Sequence, residues 1–449
     1  TEETFAEVCS ATADEIGQAA EAGQAAFESG WRDMPPGERT RLLRNLAKRI
    51  HENVETLAQL ETRNVGKPIG DARWEADAGA KVFDYYAGAI GHLCGQTIPV
   101  ARGGFDFTLR QPMGVIAAIT PWNFPFLIAC WKVAPALAAG NSVVLKPASL
   151  TPLTALMLGQ LAQEAGLPDG VLQVVPGSGS EAGNALATHP LVRKIGFTGS
   201  TEVGATIMKL AADDIKRVSL ELGGKSPNIV FADADWQRAA AESPMSVFAN
   251  TGQDCCARSR MFIEQSIFDG FVDQFVAATE SLKIGDPTDE ATQVGPMVSA
   301  AQRELSESYI AGARDPGREI RTGGDRPNGG GFYLNPAVVT GVETEDRAWR
   351  EEIFGPVVCL RPFTDETEML REVNDTNFGL SGSVWSNDLS RALRVARQVE
   401  SGVISINSHS SVHTEAPFGG FKRSGLGRDL GMSAMEACTE VKNLSLIHI

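Results

Sequence analysis

From residue 115 onward the chain alternates short apolar runs with stretches long enough for helices, and this rhythm constrains the fold more than any other feature. Residues 115–119, 142–145, 172–175, 194–197 and 217–220 read as strands, and 126–138 and 151–165 as helices between the first of them. Apolar runs of this length without polar alternation suit strands buried on both faces. Strand–helix–strand succession builds a parallel sheet covered by helices. The alternation resumes after Ser226, with strands at 228–231, 260–264, 357–362 and 403–406. Two α/β lobes dividing near Gly223-Gly224 are therefore expected.

The first third reads differently. Helical spacing covers 14–29, then a stretch opening at Pro36 with Leu42, Leu43, Leu46, Ile50 and Leu57 on one stripe, then 71–91. Residues 95–110 are strand-like around a Gly103-Gly104 turn, and the Gly- and Arg-rich segment 318–331 reads as a surface loop. The length, 449 residues, suits about three domains.

Charge and cysteine content exclude several classes. Acidic residues number 56 against 40 basic ones, a net charge of −16. No basic face for nucleic acid is visible, and an anionic membrane surface would repel the chain. The longest apolar stretch, 113–145, is broken by Pro121, Asn123, Pro125, Lys132, Pro135 and Asn141, so no membrane span is expected. No signal-peptide pattern opens the chain, and a cytoplasmic location is expected. The seven cysteines are odd in number, irregularly spaced and without a CxxC pair. Neither a disulfide framework nor a metal site is expected, and a reducing compartment fits.

Ligands of open parallel sheets gather at the carboxyl ends of strands. Pro121-Trp122-Asn123-Phe124-Pro125 follows the first strand, Lys146-Pro147-Ala148-Ser149 the second, Gly177-Ser178-Gly179 the third, and Thr198-Gly199-Ser200 the fourth. The last two are Gly-rich turns opening helices, suited to an anionic group at a helix N-terminus, although short turns of this kind often serve only as turns. No GxGxxG dinucleotide fingerprint is present. The fifth strand ends in Leu220-Glu221-Leu222-Gly223-Gly224-Lys225. If Glu221 is buried its pKa rises and it becomes a general base near neutral pH; otherwise it is a solvated strand end. Cys255, on the loop Gly252-Gln253-Asp254-Cys255-Cys256-Ala257, is either a nucleophile or an inert small apolar residue.

The chain resembles the NAD(P)-dependent aldehyde dehydrogenases of the non-acylating, hydrolytic branch. The resemblance lies in PWNFP (121–125), KPAS (146–149), FTGSTEVG (197–204), LELGGKSP (220–227), GQDCCA (252–257), EEIFGP (351–356) and PFGGFKRSG (417–425), in the family's order across nearly the whole chain. It implies a Rossmann-like parallel-sheet cofactor domain (1–94 and 113–223), an α/β catalytic domain (224–423) and a β-hairpin oligomerisation arm with a C-terminal segment (95–112 and 424–449). It further implies an aldehyde as substrate and a homodimer or homotetramer.

The resemblance assigns Cys255 as nucleophile, Glu221 as the base that activates water, and Asn123, with the Cys255 backbone N–H, as oxyanion donor. For NAD or NADP it implies Thr120, Pro121, Trp122, Lys146, Ser149, Gly179, Gly199, Ser200, Leu222, Gln302, Glu352 and Phe354. Many NAD-preferring relatives carry Glu at the position of Ser149. A neutral Ser149 beside Lys146 removes the repulsion of a 2′-phosphate, so NADP acceptance is expected. Phe124, Leu127, Trp131, Asp254 and the loop 408–414 are expected to line the aldehyde tunnel, with the aromatic rings favouring an apolar or cationic aldehyde. Arg258 keeps a carboxy-aldehyde open.

Two departures stand out. The family usually carries some tens of residues ahead of the position of Thr1, and 445–449 does not look like a usual continuation; weaker assembly is the expected consequence. Three rivals remain: a thiol hydrolase using Cys255 with His409 or His413, a CoA-acylating enzyme, against which Glu221 argues, and a non-enzymatic protein that keeps only the fold.

Overall fold

Why the apolar runs become strands is plain in the computed structural model, which describes residues 2–410 and 412–446. After a hairpin of β1 (Thr97–Ile98) and β2 (Phe105–Pro112), the chain forms β3 (Val115–Ile119), β4 (Ser142–Lys146), β5 (Leu172–Val174), β6 (Val192–Thr198) and β7 (Arg217–Glu221). β3 and β4 are buried along their whole length, as central parallel strands covered on both faces are. These five strands are parallel, and the sheet is completed by the distant two-residue β15 (below) in the order β15-β7-β6-β3-β4-β5.

Between Glu221 and Pro227 the chain passes into a second sheet. Its strands are β8 (Pro227–Val230), β9 (Arg260–Glu264), β10 (Glu319–Thr322), β11 (Ala337–Thr340), β12 (Val357–Phe363), β13 (Ser381–Trp385) and β14 (Val403–Ile406), ordered β10-β11-β12-β9-β8-β13-β14. All pairs are parallel except β10 with β11. β15 (Gly425–Leu426) then returns to the first sheet, antiparallel to β7, and β16 (Thr439–Leu446) pairs with β2 to make a separate three-stranded antiparallel sheet.

Several expectations need correction. Segment 318–331 is not all loop: Glu319–Thr322 forms the edge strand β10, whose register shifts between Ile320 and Thr322. Its charged residues sit on a sheet edge, a common place for them. β11 and β13 were not foreseen. β13 reads as a polar segment because Ser381 and Ser383 are buried in it, their hydroxyls bonded to Ser226 and to Arg258 and His409. The stripe from Pro36 to Leu57 is two helices, Pro36–Glu52 and Val54–Val65, broken at Asn53, whose backbone leaves the helical region. The first helix ends at Ala26 and continues as a π turn in which Gly30 has φ 128°. The strand-like 95–110 is split into β1 and β2. The end of the chain continues its strand further than its side chains suggested: Ser445 pairs with Asp106 and Leu446 with Phe105, because a ladder uses backbone groups. Residues 447–449 of that tail, and Ser411 of the loop 408–414, lie outside the described residues.

Among the described residues no helix is long and apolar enough to cross a membrane. The helix Pro125–Ala138, the most apolar segment, is instead wholly buried, and its one charged residue, Lys132, is paired with Asp429 at 2.8 Å.

Candidate active site

Two cavities meet at the carboxyl ends of the first sheet. The larger, about 700 Å³, is bordered by Thr120, Pro121 and Trp122 after β3, Lys146 and Ser149 after β4, and Gly179, Gly199 and Ser200 at helix starts. Leu222, Gln302, Glu352 and Phe354 complete it. The second, about 490 Å³, is bordered by Phe124, Leu127, Trp131 and Asp254, and by His409, Ser410 and Val412 of the loop 408–414. Cys255, Glu221, Leu222 and Thr198 border both cavities, and Asn123 borders the larger one.

Glu221 is the last residue of β7. Its backbone carbonyl accepts from the Gly199 N–H at 3.1 Å, and β15 flanks it with Gly425 opposite. The side chain is 4% exposed and neither carboxylate oxygen has a hydrogen-bond partner. Burial, then the nearby Asp429 charge, push its pKa well above the usual carboxylate range, and Lys132 opposes this. A carboxyl so placed holds its proton more tightly than an exposed one, which makes Glu221 a candidate general base.

Cys255 follows a strained turn. Asn250, Thr251 and Gly252 have φ of 49°, 59° and 72° in succession, a conformation that a β-branched Thr rarely adopts. Side chains hold it there. Thr251 Oγ1 donates to the Gly295 carbonyl at 2.8 Å, Gln253 Nε2 donates to the Asn250 carbonyl at 2.9 Å, and Gln253 Oε1 accepts from the Val298 N–H at 2.9 Å. Gly252 packs against the Gly355 backbone, where a Cβ would collide. The Cys255 thiol is half-buried; contact with the Cys256 thiol, then burial, raise its pKa well above the ordinary value. Asn123 Nδ2 donates to the Gln253 carbonyl at 2.9 Å, and the Asn250 side chain donates to the Asn123 carbonyl at 3.0 Å. The oxyanion-donor candidate and the turn that carries the candidate nucleophile are thus tied together.

The larger cavity fits a dinucleotide. Ser200 caps the helix Thr201–Ala212, its hydroxyl accepting from the Val203 N–H, and Ser178 caps the turn Gly179–Gly183 in the same way, so two helix starts open beside the cavity. Lys146 Nζ donates to the carbonyls of Pro147 and Gly177, and burial lowers its pKa to about 8. Ser149 Oγ donates to the same Gly177 carbonyl. Glu352 accepts from the Gly224 N–H at 3.0 Å, and burial pushes it up to about 7. A Cβ at Gly223 would run into this carboxylate. Gln302 donates to the Phe354 carbonyl at 2.9 Å, and the Phe354 ring meets Trp122 edge-on at 5.1 Å.

The second cavity carries residues that sequence reasoning missed. Trp74, Asp71, Lys67, Glu242 and Phe418 border it. Lys67 is buried, paired with Glu75, and lies over the Phe124 ring. Its place beside the family-like turn 121–125 had no signal in the sequence, because it comes from a helix joint far earlier in the chain. The Lys132–Asp429 pair had one: a lone cation in an apolar helix needs a partner. Arg258 donates to the Cys256 carbonyl at 2.6 Å, to Ser383 Oγ and to the His409 carbonyl. The His409 ring is bonded at both nitrogens to serine hydroxyls, Ser243 at 3.1 Å and Ser383 at 3.2 Å, and burial lowers its pKa to about 3. That geometry leaves no ring nitrogen for Cys255, and His413 is exposed and borders neither cavity, so the thiol-hydrolase dyad has no support.

Comparison with known proteins places this architecture. The model of the aldehyde dehydrogenase family matches residues 1–444. The chain is 43% identical over 455 residues to betaine aldehyde dehydrogenase 1 of Oryza sativa subsp. japonica, covering 99% of this chain and 90% of the relative. It is 42% identical over 459 residues to phenylacetaldehyde dehydrogenase of Pseudomonas fluorescens, covering 100% and 91%. Among solved structures, the NAD+ complex of an aldehyde dehydrogenase from Bacillus cereus superposes with a TM-score of 0.98 at 40% identity, covering 100% of this chain and 92% of that one.

Proposed function

This chain belongs to the aldehyde dehydrogenase family, and from that premise we propose that it oxidises an aldehyde to a carboxylic acid with NAD+ through a thioester on Cys255. The observation that carries this reading is that Cys255 and Glu221 border both cavities, one suited to the cofactor and one to the aldehyde.

The chain's own groups supply the chemistry in order. The Cys255 sulfur adds to the aldehyde carbon and the thiol proton ends on the former carbonyl oxygen, giving a thiohemiacetal. The Asn123 N–H not spent on Gln253, with the Cys255 backbone N–H, stabilises the oxygen as charge develops on it; one such donor is worth about 3–4 kcal/mol. NAD+ held in the larger cavity would supply the hydride acceptor; with the hydride gone and the hydroxyl proton released to solvent, the carbon on Cys255 is a thioester. Glu221 removes a proton from a water that attacks the thioester, releasing the acid and restoring the thiol. Aldehyde, NAD+ and water go in; acid, NADH and a proton come out.

Thr120, Pro121, Trp122, Lys146, Ser149, Gly179, Gly199, Ser200, Leu222, Gln302, Glu352 and Phe354 hold the cofactor in this reading. The roles of the three chain regions follow: 1–94 with 113–223 binds it, 224–423 presents Cys255, and 95–112 with 424–449 joins copies into a homodimer or homotetramer. A free, reactive thiol calls for a reducing compartment, and we assign the cytoplasm. Among the described residues the only carboxylates bordering the larger cavity are Glu221 and Glu352, so none of these residues opposes a 2′-phosphate at Ser149, and NADP is accepted with NAD.

The aldehyde has an aromatic or cationic end. Phe124, Leu127 and Trp131 give an apolar wall, with Trp131 and Phe418 edge-on at 5.4 Å, while Asp71, Asp254 and Glu242 place carboxylates on it. Arg258 is committed to two carbonyls and a hydroxyl, which disfavours a carboxylate-ended aldehyde. The test is a panel of aliphatic, aromatic, amino- and carboxy-aldehydes with each cofactor, read as NAD(P)H formation. Arylalkyl or amino aldehydes should give the highest kcat/KM. Best turnover of a carboxy-aldehyde would refute the substrate reading, and a preference for NAD above about a hundredfold (roughly 2.7 kcal/mol) would refute NADP acceptance.

A further inference from the structure

The aldehyde reaction uses one thiol of an adjacent pair and leaves the other unexplained. Cys256 is buried yet borders the second cavity, and neither it nor Cys255 is in a disulfide. With Asp254 they form a cluster in which one carboxylate oxygen and the two sulfurs all lie within 4.8 Å of one another. The carboxylate is fixed, since Asp254 Oδ1 accepts from the Cys256 backbone N–H at 2.8 Å. The Cys256 carbonyl is held in turn by Arg258 at 2.6 Å.

We propose that Asp254, Cys255 and Cys256 bind a soft divalent cation of the Zn2+ or Cd2+ kind, which occupies the nucleophile and silences the enzyme. Two sulfurs and a carboxylate oxygen are the ligand types such ions prefer. Three protein ligands leave a fourth position for water, and that position opens into a cavity of about 490 Å³ through which a hydrated ion can arrive. With metal–sulfur bonds of about 2.3 Å in tetrahedral geometry, the ligand atoms need to close by at most roughly 1 Å. Binding forms two metal–sulfur bonds and one metal–oxygen bond, and the two thiol protons leave to solvent. The two charges they uncover, with that of Asp254, offset the cation and the neighbouring Arg258. No electrons move, so a chelator reverses the binding. The inhibition, though not the binding, rests on Cys255 being the nucleophile.

The test uses the full chain carrying Cys9→Ser and Cys94→Ser, because those two thiols are exposed. The protein is stripped of metal and titrated with CdCl2, following the ultraviolet thiolate-to-cadmium charge-transfer band and aldehyde turnover together. The expected result is one Cd2+ per chain, loss of turnover at the same equivalence point, and recovery with EDTA. Cys256→Ser, with Cys256→Ala as a second variant should the first misfold, should show a reduced band and, measured against its own metal-free turnover, need at least a tenfold higher Cd2+ concentration for inhibition. A Cys256 variant that binds and is inhibited like its parent would overturn the proposal, as would absence of the band at one equivalent. A Cys256-dependent band in a protein without aldehyde turnover would support the metal site while refuting the functional reading.

Discussion

The Asn123 side-chain amide donates to the backbone carbonyl of Gln253 at 2.9 Å. One amide hydrogen is thereby spent two residues before Cys255, and the other is aimed by that bond. The Gln253 side chain holds the same turn from its other side. Substituting Asn123→Ala should remove the donor without adding charge. The expected loss in kcat is about a hundredfold to a thousandfold, with a much smaller change in KM. Steady-state kinetics on one good aldehyde check this; an unchanged kcat would remove Asn123 from the reaction.

The elevated pKa of Glu221 has two pH signatures. As a base it works only when ionised, so the deacylation rate should fall on the acid side through a pKa well above the ordinary value of about 4.3. For stability the sign is the reverse of a salt-bridged carboxylate. The unfolded chain releases this proton at lower pH than the native protein, so Glu221 costs stability as pH rises from about 4.3 to its native pKa. Glu221→Gln should therefore gain stability relative to the parent over that window and match it below. Thermal unfolding at several pH values measures the difference; a gap that does not widen with pH would contradict the assignment.

Lys132 and Asp429 form a buried pair at 2.8 Å beside Glu221. Asp429→Asn leaves an ammonium without its counter-charge, which should destabilise by about 3–5 kcal/mol. The double variant Lys132→Met/Asp429→Leu should cost much less, since it buries no charge. Denaturant midpoints of the three proteins decide this, and equal losses in the single and double variants would show that the pair's charge is not what matters.

What the sequence discloses here follows from how each part is built. Strands β3, β4 and β9 were legible to the residue or nearly so, because an unbroken apolar run forms the centre of each. The turns after β3, β4 and β6 then had to fall at one sheet end, which is why the residues named from them gather around two cavities. β13 was hidden because its buried positions are serines whose hydroxyls are satisfied by distant partners. The left-handed turn at Asn250 and Thr251 was hidden because neither residue type demands it; tertiary hydrogen bonds impose it. Lys67 reaches the second cavity, and Asp429 the surroundings of Glu221, by folding rather than by spacing, and only Lys132 announced that it needed a partner.

A thioester on Cys255 that Glu221 helps to hydrolyse should accumulate when that carboxylate is removed. The direct measurement mixes the Glu221→Gln variant with a good aldehyde and NAD+, follows NADH in the first turnover, and quenches the protein for peptide mass analysis. The expected result is one NADH per active chain in a burst, slow turnover afterwards, and an acyl group on the peptide carrying Cys255. Absence of the burst, or an acyl group on any other residue, would contradict it.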